Sequence, residues 1–476
     1  MKIKYNKYLL LLVAVLCVAA CSEDYLDVDS RENISQEDSG QTIKAENFVT
    51  GIYGMLTEWP YAFSYLGITD MISDNADKGS SPTDPGADKE ALDNLEHTTS
   101  AGSIRAMWEH WYKSIGRATN AIEFTETSTI DDATYKTRLI GEAKFLRALN
   151  YFWLVRSFGD VSIQGVSEPA ERAPKAEVYA YIEQDLMDAI ESLPKKSEYA
   201  SKDLGRATKG AAQALLAKVY LYEEKWQEAY DMANAVLSSG EYGLEPNYED
   251  IWRVYSENGI ESIFEVQARG ESIAHGVQQY SQTQGARGTS GWGWGFNTPS
   301  QNLVDAFDAE GDEIRKNATI IFPGETLWDG REVSESVENS GYNEKAYSSN
   351  NAGAADGDKN VRILRLAEVY LIHAEAANEL GNTSVALASL KTVRDRVNLA
   401  EFTSTDQNEI REKIWNERRL ELAFEHDRWF DLLRTGQAKS AMEAAGKTFI
   451  TGKHELFPIP YDQLIQTPEM PQNPGW

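Results

Sequence analysis

In TKGAAQALLAKVYLYEEKWQEAYDMANAVLSSG, residues Thr208–Gly240, the side chains of Ala212, Leu215, Leu216, Val219 and Tyr220 recur at steps of three and four. Past Glu223–Lys225, Trp226, Ala229, Tyr230, Ala233 and Leu237 repeat the pattern. Apolar positions at that spacing fall on one face of an α-helix, so the stretch predicts two helices folded back on each other about a short turn. The small Ala229 and Ala233 let the two axes come close.

This is the layout of a tetratricopeptide unit, and the same grammar recurs elsewhere. Leu366, Ala367, Tyr370, Leu371, Ala374 and Ala377 lead to a Gly381-Asn382 break and then to Ala386, Leu390 and Val393. A third unit joins Gly141–Phe158 to Val178–Leu193, and a degenerate fourth pairs Phe48–Trp59 with Met107–Phe124. Solenoid repeats normally follow at a fixed period, whereas these are separated by unequal stretches. The expectation is therefore a mainly α, tetratricopeptide-like scaffold of about four helix pairs carrying long irregular loops. The longest insertions are Gly67–Gly102 and Tyr255–Gly357, rich in Gly, Ser, Asn and Asp. Glu261–Ala268, with Ile263, Phe264 and Val266, reads as a short strand within the second.

Composition limits the function. Of 476 residues, 42% are apolar, and 75 Asp and Glu face 46 Lys and Arg, a net charge of -29. That charge repels a phosphate backbone, so no nucleic-acid partner is expected. No run reaches the roughly 18 to 20 apolar residues of a membrane-spanning helix.

The first residues read as an address. Lys2, Lys4 and Lys7 precede the apolar Leu9–Val18, and Val18-Ala19-Ala20-Cys21 resembles the bacterial lipobox. Residues 1–20 are thus a lipoprotein signal peptide, residues 21–476 form the mature body, and the Cys21 thiol is the lipid attachment point. With Cys17 removed and Cys21 acylated, neither of the two cysteines is left for a disulfide. Acyl chains, at ~0.8 kcal/mol per buried methylene, anchor the protein without a spanning helix. Ser22-Glu23-Asp24 resembles the short acidic tag that sends some lipoproteins to the outer face of the outer membrane.

Several blocks along the mature chain resemble the SusD/RagB family of outer-membrane nutrient-binding lipoproteins. They are Cys21 with Asp24, Leu26 and Asp27; Glu142–Ala148 with Tyr151-Phe152 and Phe158–Val161; and Gly295–Pro299 with Leu303–Phe307. Arg365–Leu371 with Ala374–Ala376, Glu417–Glu425 with Arg428–Leu432 and Arg434, and Pro458–Pro460 with Gln472–Gly475 complete the match. The resemblance implies four tetratricopeptide-like helix pairs, a glycan-binding surface on inserted loops, and a hinged lid over a SusC-type TonB-dependent transporter. It does not name the ligand, since relatives bind different oligosaccharides and some bind peptides.

Candidate residues follow from the loops. In Gly288–Asn297, glycines flank Trp292 and Trp294 and give neither indole side-chain cover. An exposed indole is a flat apolar face on which a sugar ring stacks. Trp292 divides evenly between ligand and core, while Trp294 leans to structure. Trp59-Pro60-Tyr61-Ala62-Phe63-Ser64-Tyr65 is a second aromatic cluster, which Pro60, as a helix stop, is expected to project into a loop. Asp70, Asp74, Asn75 and Asp77 follow, and carboxylates and amides beside an aromatic face suit paired sugar hydroxyls. The alternatives for these four are cap and turn chemistry or a calcium site. Gln284, Arg287 and Arg362 are further polar candidates.

Enzyme signatures are missing. His97, His110, His275, His373, His426 and His454 are scattered with no i, i+4 pair for zinc, and there is no nucleophile elbow. Ala441 stands where a phosphate loop ending in Gly446-Lys447-Thr448 needs its first glycine. Arg418, Glu421, Glu425 and Arg428 form a charged stripe on a helix expected over Glu417–Arg434, read as structural and paired with Glu142, Arg147 or Arg156. The reading is a cell-surface glycan-binding lipoprotein without catalysis, metal or other cofactor, serving a SusC-type transporter. The alternatives are a lipid-anchored glycosidase and a tetratricopeptide scaffold binding peptide or protein.

Overall fold

The computed structural model describes residues 40–476 except 82, 85, 166–170, 271–274 and 350–356. Residues 1–20, expected to be a signal peptide, and Cys21 lie outside the described residues. The helices are α1 Gln41–Leu56, α2 Trp59–Leu66, α3 Ala87–Asp93, α4 Gly102–Thr127, α5 Ala133–Phe158, α6 Lys175–Ser192, α7 Lys209–Tyr222 and α8 Trp226–Leu237. They continue as α9 Tyr280–Gln284, α10 Gln301–Glu310, α11 Glu313–Thr319, α12 Leu366–Glu379, α13 Thr383–Arg396, α14 Gln407–Glu421, α15 Arg428–Arg434, α16 Ala438–Ala444 and α17 Tyr461–Gln466.

The pairs α1 with α4, α5 with α6, α7 with α8 and α12 with α13 pack as tetratricopeptide-like units. Ala212, Ala229 and Ala233 are wholly buried where α7 meets α8, as their small size requires. Thr208 caps α7 by accepting the Ala211 N–H at 3.1 Å, and Glu224 turns the chain in the left-handed region at φ 57°. Most of α5 is buried, from Leu139 to Phe158, because it packs between α4 and α6 and carries the central core residues.

The two insertions are more regular than their composition suggested. The first holds a π-helical turn Gly67–Met71, strand β1 Ala76–Gly79 and α3. The second holds β2 Ser262–Val266, α9, β3 Phe296–Pro299, α10, α11, β4 Ile320–Ile321 and β5 Tyr342–Asn343, and β6 Val361–Arg365 follows it. β2 is the strand expected within Glu261–Ala268. Antiparallel pairing of β1 with β3, Ala76 opposite Pro299, ties one insertion to the other, and β2 pairs with β6 beside α12.

Two local expectations change. Pro60 does not stop a helix; it occupies the first turn of α2, where its missing N–H costs nothing, so Trp59–Leu66 is helical. The helix expected over Glu417–Arg434 breaks at Leu422–Asp427, where Phe424 and His426 adopt positive φ of 62° and 71°.

The charged stripe is indeed structural, but its partners differ. Glu421 accepts from Arg365 at 2.6 Å, from Arg315 at 2.9 Å and from Arg396, all deeply buried. Burial alone pushes the Glu421 carboxyl up, and three guanidiniums outweigh it and hold it well below the carboxylate range. Glu425 binds Arg365 at 2.6 Å and Lys345 at 2.7 Å, while Glu417 binds Arg315 and Arg394, each at 2.6 Å. Because Arg315 and Lys345 belong to the second insertion, this network fixes that insertion to the C-terminal helices. Arg156 reaches Asp427 at 2.9 Å, but Glu142 pairs with Arg138 and Arg206, and Arg147 with Asp185.

Candidate functional site

Loops from both insertions meet around two groups of aromatic rings. In the first group, Trp59 lies edge-on to Trp294 with ring centroids 5.9 Å apart and tilts against Phe63 at 5.7 Å. Trp59 is the first residue of α2 and stays 38% exposed. Its backbone is held by the loop before α9: the Val277 N–H donates to the Thr57 carbonyl at 2.7 Å, and a Cβ on Gly276 would lie 1.8 Å from the Trp59 nitrogen. Only glycine permits that approach.

In the second group, Trp292 and Trp328 both meet Tyr347 edge-on, at 5.6 and 6.2 Å. Trp328 is 46% exposed because it rides a tight turn: the Gly330 N–H donates to the Leu327 carbonyl at 2.9 Å, and Leu327 N–H to the Arg331 carbonyl at 2.8 Å. Gly330 supplies the positive φ of 85° that the turn demands. The Arg253 guanidinium sits 4.6 Å over Trp328 and that of Arg331 4.5 Å over Trp292, steadying each ring from one side.

Gly293 joins the groups. The Trp292 N–H donates to the Ala286 carbonyl and the Trp294 N–H to that of Gln282, both at 2.8 Å, which pins the indole pair to the end of α9. A Cβ on Gly293 would come within 2.5 Å of the Gly285 Cα, so the close approach needs the bare backbone. Beside it, Arg287 bridges Glu338 at 2.9 Å and Asp84 at 2.6 Å, and the Asn339 amide donates to the Ser80 carbonyl at 3.3 Å. Among the described residues Trp59 and Trp328 are the exposed tryptophans, and Trp292 and Trp294 are partly buried.

The polar candidates mostly turn inward. Asp70 is buried against the His426 imidazole at 2.8 Å and accepts the Asn297 amide at 3.2 Å. Asp74 is buried and takes both oxygens to Arg428 at 2.8 Å. Burial raises its carboxyl, and Arg428 with Arg419 outweighs that and holds it at about 2. Asn75 is buried and accepts from Arg419 at 2.8 Å. Gln284 is fully buried, its oxygen accepting from Asn297 and Asn343 at 2.8 and 2.7 Å. Arg362 is buried and donates to the Asn360 and Arg253 carbonyls. Asp70, Asp74, Asn75, Gln284 and Arg362 are therefore not displayed at this aromatic surface, because each is buried and its side chain is committed to other protein groups. Arg287, Trp59, Trp292 and Trp294 are brought together at the loop surface.

Sequence reading missed Trp328, Tyr347, Arg253 and Arg331. The signal for Trp328 was present in Trp328-Asp329-Gly330, an aromatic beside a turn dipeptide inside an insertion. Among the described residues no group of three or more His, Cys, Asp or Glu is arranged to hold a metal. Among them too, no helix is long and apolar enough to cross a membrane.

Comparison with known proteins places this architecture. A model of the SusD family matches residues 260–476, and a second, described as starch-binding associating with outer membrane, matches residues 24–221. The SusD-like protein P2 of Formosa agariphila is 28% identical over 90% of this chain and 91% of its own length. A solved laminarin-binding SusD-like protein is 28% identical, covers 91% of this chain and 99% of its own, and superposes with a TM-score of 0.77. Surface glycan-binding protein A from Bacteroides thetaiotaomicron, solved with laminarihexaose, has a TM-score of 0.77 over 90% of this chain and 99% of its own; at 20% identity it speaks for the fold alone. With helix pairs, tied insertions and family matches spanning both halves, the chain belongs to the SusD/RagB family, a glycan-binding family of tetratricopeptide-like helical proteins.

Proposed function

We propose that the protein captures an oligosaccharide on the aromatic surface formed by Trp59, Trp294, Trp292 and Trp328, with Tyr347 buried behind it, and passes it uncleaved to a SusC-type TonB-dependent transporter. The observation that carries this reading is the pair of exposed indoles, Trp59 and Trp328, flanking two partly buried ones. Water-exposed tryptophan is costly to leave uncovered, and stacking on the C–H face of a sugar ring uses it. Arg287, Asp84, Glu338 and Asn339 stand nearby to exchange hydrogen bonds with ring hydroxyls. The laminarin-binding relative makes laminarin a reasonable first polysaccharide to try.

Anchoring in this reading comes through the acylated Cys21, which keeps the body at the outer face of the outer membrane beside its transporter and raises their mutual local concentration. A glycan-array screen of the unacylated mature chain, followed by titration of laminarin and the best array ligand, tests the binding step. Saturable binding that releases no new reducing ends supports the reading. Failure to bind any array glycan, or steady release of reducing ends, overturns it.

A further inference from the structure

A cleft of about 330 Å³ opens between α14 and α16, sharing no lining residue with the aromatic surface, with Asp74, Asn302 and Arg428 among its lining residues. Its volume is in the range of small-molecule sites, ~300–1,000 Å³. One wall is the α14 face Glu412, Trp415, Asn416 and Arg419. The opposite wall is Gln437, Ser440, Ala441 and Ala444, running along α16 at the same steps of three, one and three. Residues three and four apart share a helix face, so two matched faces confront each other. Methyl groups at Ala441 and Ala444 stand where longer side chains would fill the space.

The indole of Trp415 is held in place: its N–H donates to Glu375 at 2.9 Å, and Arg434 grips that carboxylate at 2.6 and 2.9 Å. The same indole lines a second cleft of about 370 Å³ beside α8, so it separates two hollows. Arg419 and Arg428 are both spent on Asp74. The side chains of Glu412 and Gln437 line the cleft, and neither has a hydrogen-bond or ion-pair partner among the described residues. A fixed aromatic ring with an unused carboxylate beside it on the same wall and an unused amide on the facing wall is a combination that receives a sugar, the ring against its C–H face and the polar groups on hydroxyls. An anionic ligand is disfavoured, because Asp74 already neutralises one guanidinium and Glu412 repels.

We infer that the α14–α16 cleft is a second carbohydrate site, taking a neutral sugar on Trp415 independently of the loop surface. The inference rests on the reading that the chain binds glycans. Its test follows tryptophan indole N–H signals by NMR in the unacylated mature chain, titrated with maltohexaose, laminarihexaose, xylohexaose and mannohexaose, the Trp415 signal being identified with Trp415→Phe.

At least one of these sugars is expected to shift the Trp415 signal saturably, and to do so equally in the Trp59→Ala/Trp328→Ala variant. Ala444→Phe, which fills the cleft, weakens that response at least tenfold and leaves the Trp328 signal responsive. If Ala444→Phe does not fold, the double variant Glu412→Ala/Gln437→Ala serves with the same expectation. Loop indoles that shift while Trp415 stays still overturn the second site and leave the glycan reading standing. A Trp415 response that vanishes with the loop tryptophans, or survives filling of the cleft, overturns it as well. Silence from every indole with all four sugars overturns the second site, and the glycan reading then stands or falls by the array screen.

Discussion

Replacing Trp328 by alanine removes the most exposed indole of the loop surface. With 46% of Trp328 exposed, and a tryptophan presenting roughly 250 Å², about 115 Å² of it faces solvent. A sugar ring covering half of that takes roughly 60 Å² from water, ~1.5 kcal/mol at ~25 cal/mol per Å². Stacking adds ~0.5–1.5 kcal/mol. Ordering the bound sugar gives back ~0.5–1.5 kcal/mol. The balance is ~0.5–2.5 kcal/mol, centred on ~1.5 kcal/mol, so affinity for the captured glycan is expected to fall about tenfold. The fold loses the Arg253 guanidinium 4.6 Å over the ring and the edge-on contact with Tyr347 at 6.2 Å. These contribute ~0.5–1 kcal/mol and ~0.5–1.5 kcal/mol, a fall in melting temperature of a few degrees in a chain this long. Isothermal titration and scanning calorimetry on one preparation read both numbers. Affinity held within about twofold, or a large loss of melting temperature with affinity intact, would refute the assignment of Trp328 to the ligand surface.

Trp429→Ala should behave in the opposite sense: the ring is 1% exposed, and truncating a buried tryptophan costs about 3–5 kcal/mol. Calorimetry should record that loss, with glycan affinity unchanged in the protein that remains folded. Glu421→Gln leaves the buried guanidiniums of Arg315, Arg365 and Arg396 short of a counter-charge, a destabilisation of about 3–5 kcal/mol by chemical denaturation; a cost under about 1 kcal/mol would show the network to be dispensable. His97 and His454 pack on Trp476 at 4.9 and 5.9 Å, and burial lowers their imidazoles from 6.5 to about 3 and about 4. Their neutral forms stabilise the fold fully above about pH 6.5, and this is lost as the unfolded chain takes up protons between there and pH 3–4. The melting temperature of His97→Phe should therefore fall less steeply than that of the native chain over this window, and parallel slopes would contradict the argument.

The helix pairs were legible because each is a local pattern: Ala212 to Tyr220 and Trp226 to Leu237 announce their faces by spacing, and Glu223–Lys225 announces the turn. Strand β2 was legible for the same reason. The insertions were not, because β1 and β3 meet across more than two hundred residues and neither Ala76–Gly79 nor Phe296–Pro299 has a pattern of its own. The break after Glu421 escaped because left-handed backbone at Phe424 and His426, unlike at glycine, leaves no compositional mark.

Among site residues, composition located the aromatics Trp59, Trp292 and Trp294 but did not show that Asp70, Asp74, Asn75, Gln284 and Arg362 turn away from them into the protein. A carboxylate near an aromatic run looks the same in sequence whether it meets a ligand or a buried arginine. What separated them was the distant partner, Arg428 for Asp74 and His426 for Asp70, which only the tertiary fold brings near. Trp328 shows the reverse failure, a single aromatic whose turn was readable but whose neighbours Tyr347 and Arg253 were not.

The most direct measurement is a crystal structure of the mature chain with the glycan selected by array screening. Sugar rings stacked on Trp328 or Trp59, with hydroxyls reaching Arg287, Asp84 or Asn339, are the expected result. A well-ordered glycan bound elsewhere, with both exposed indoles bare, would contradict the central claim.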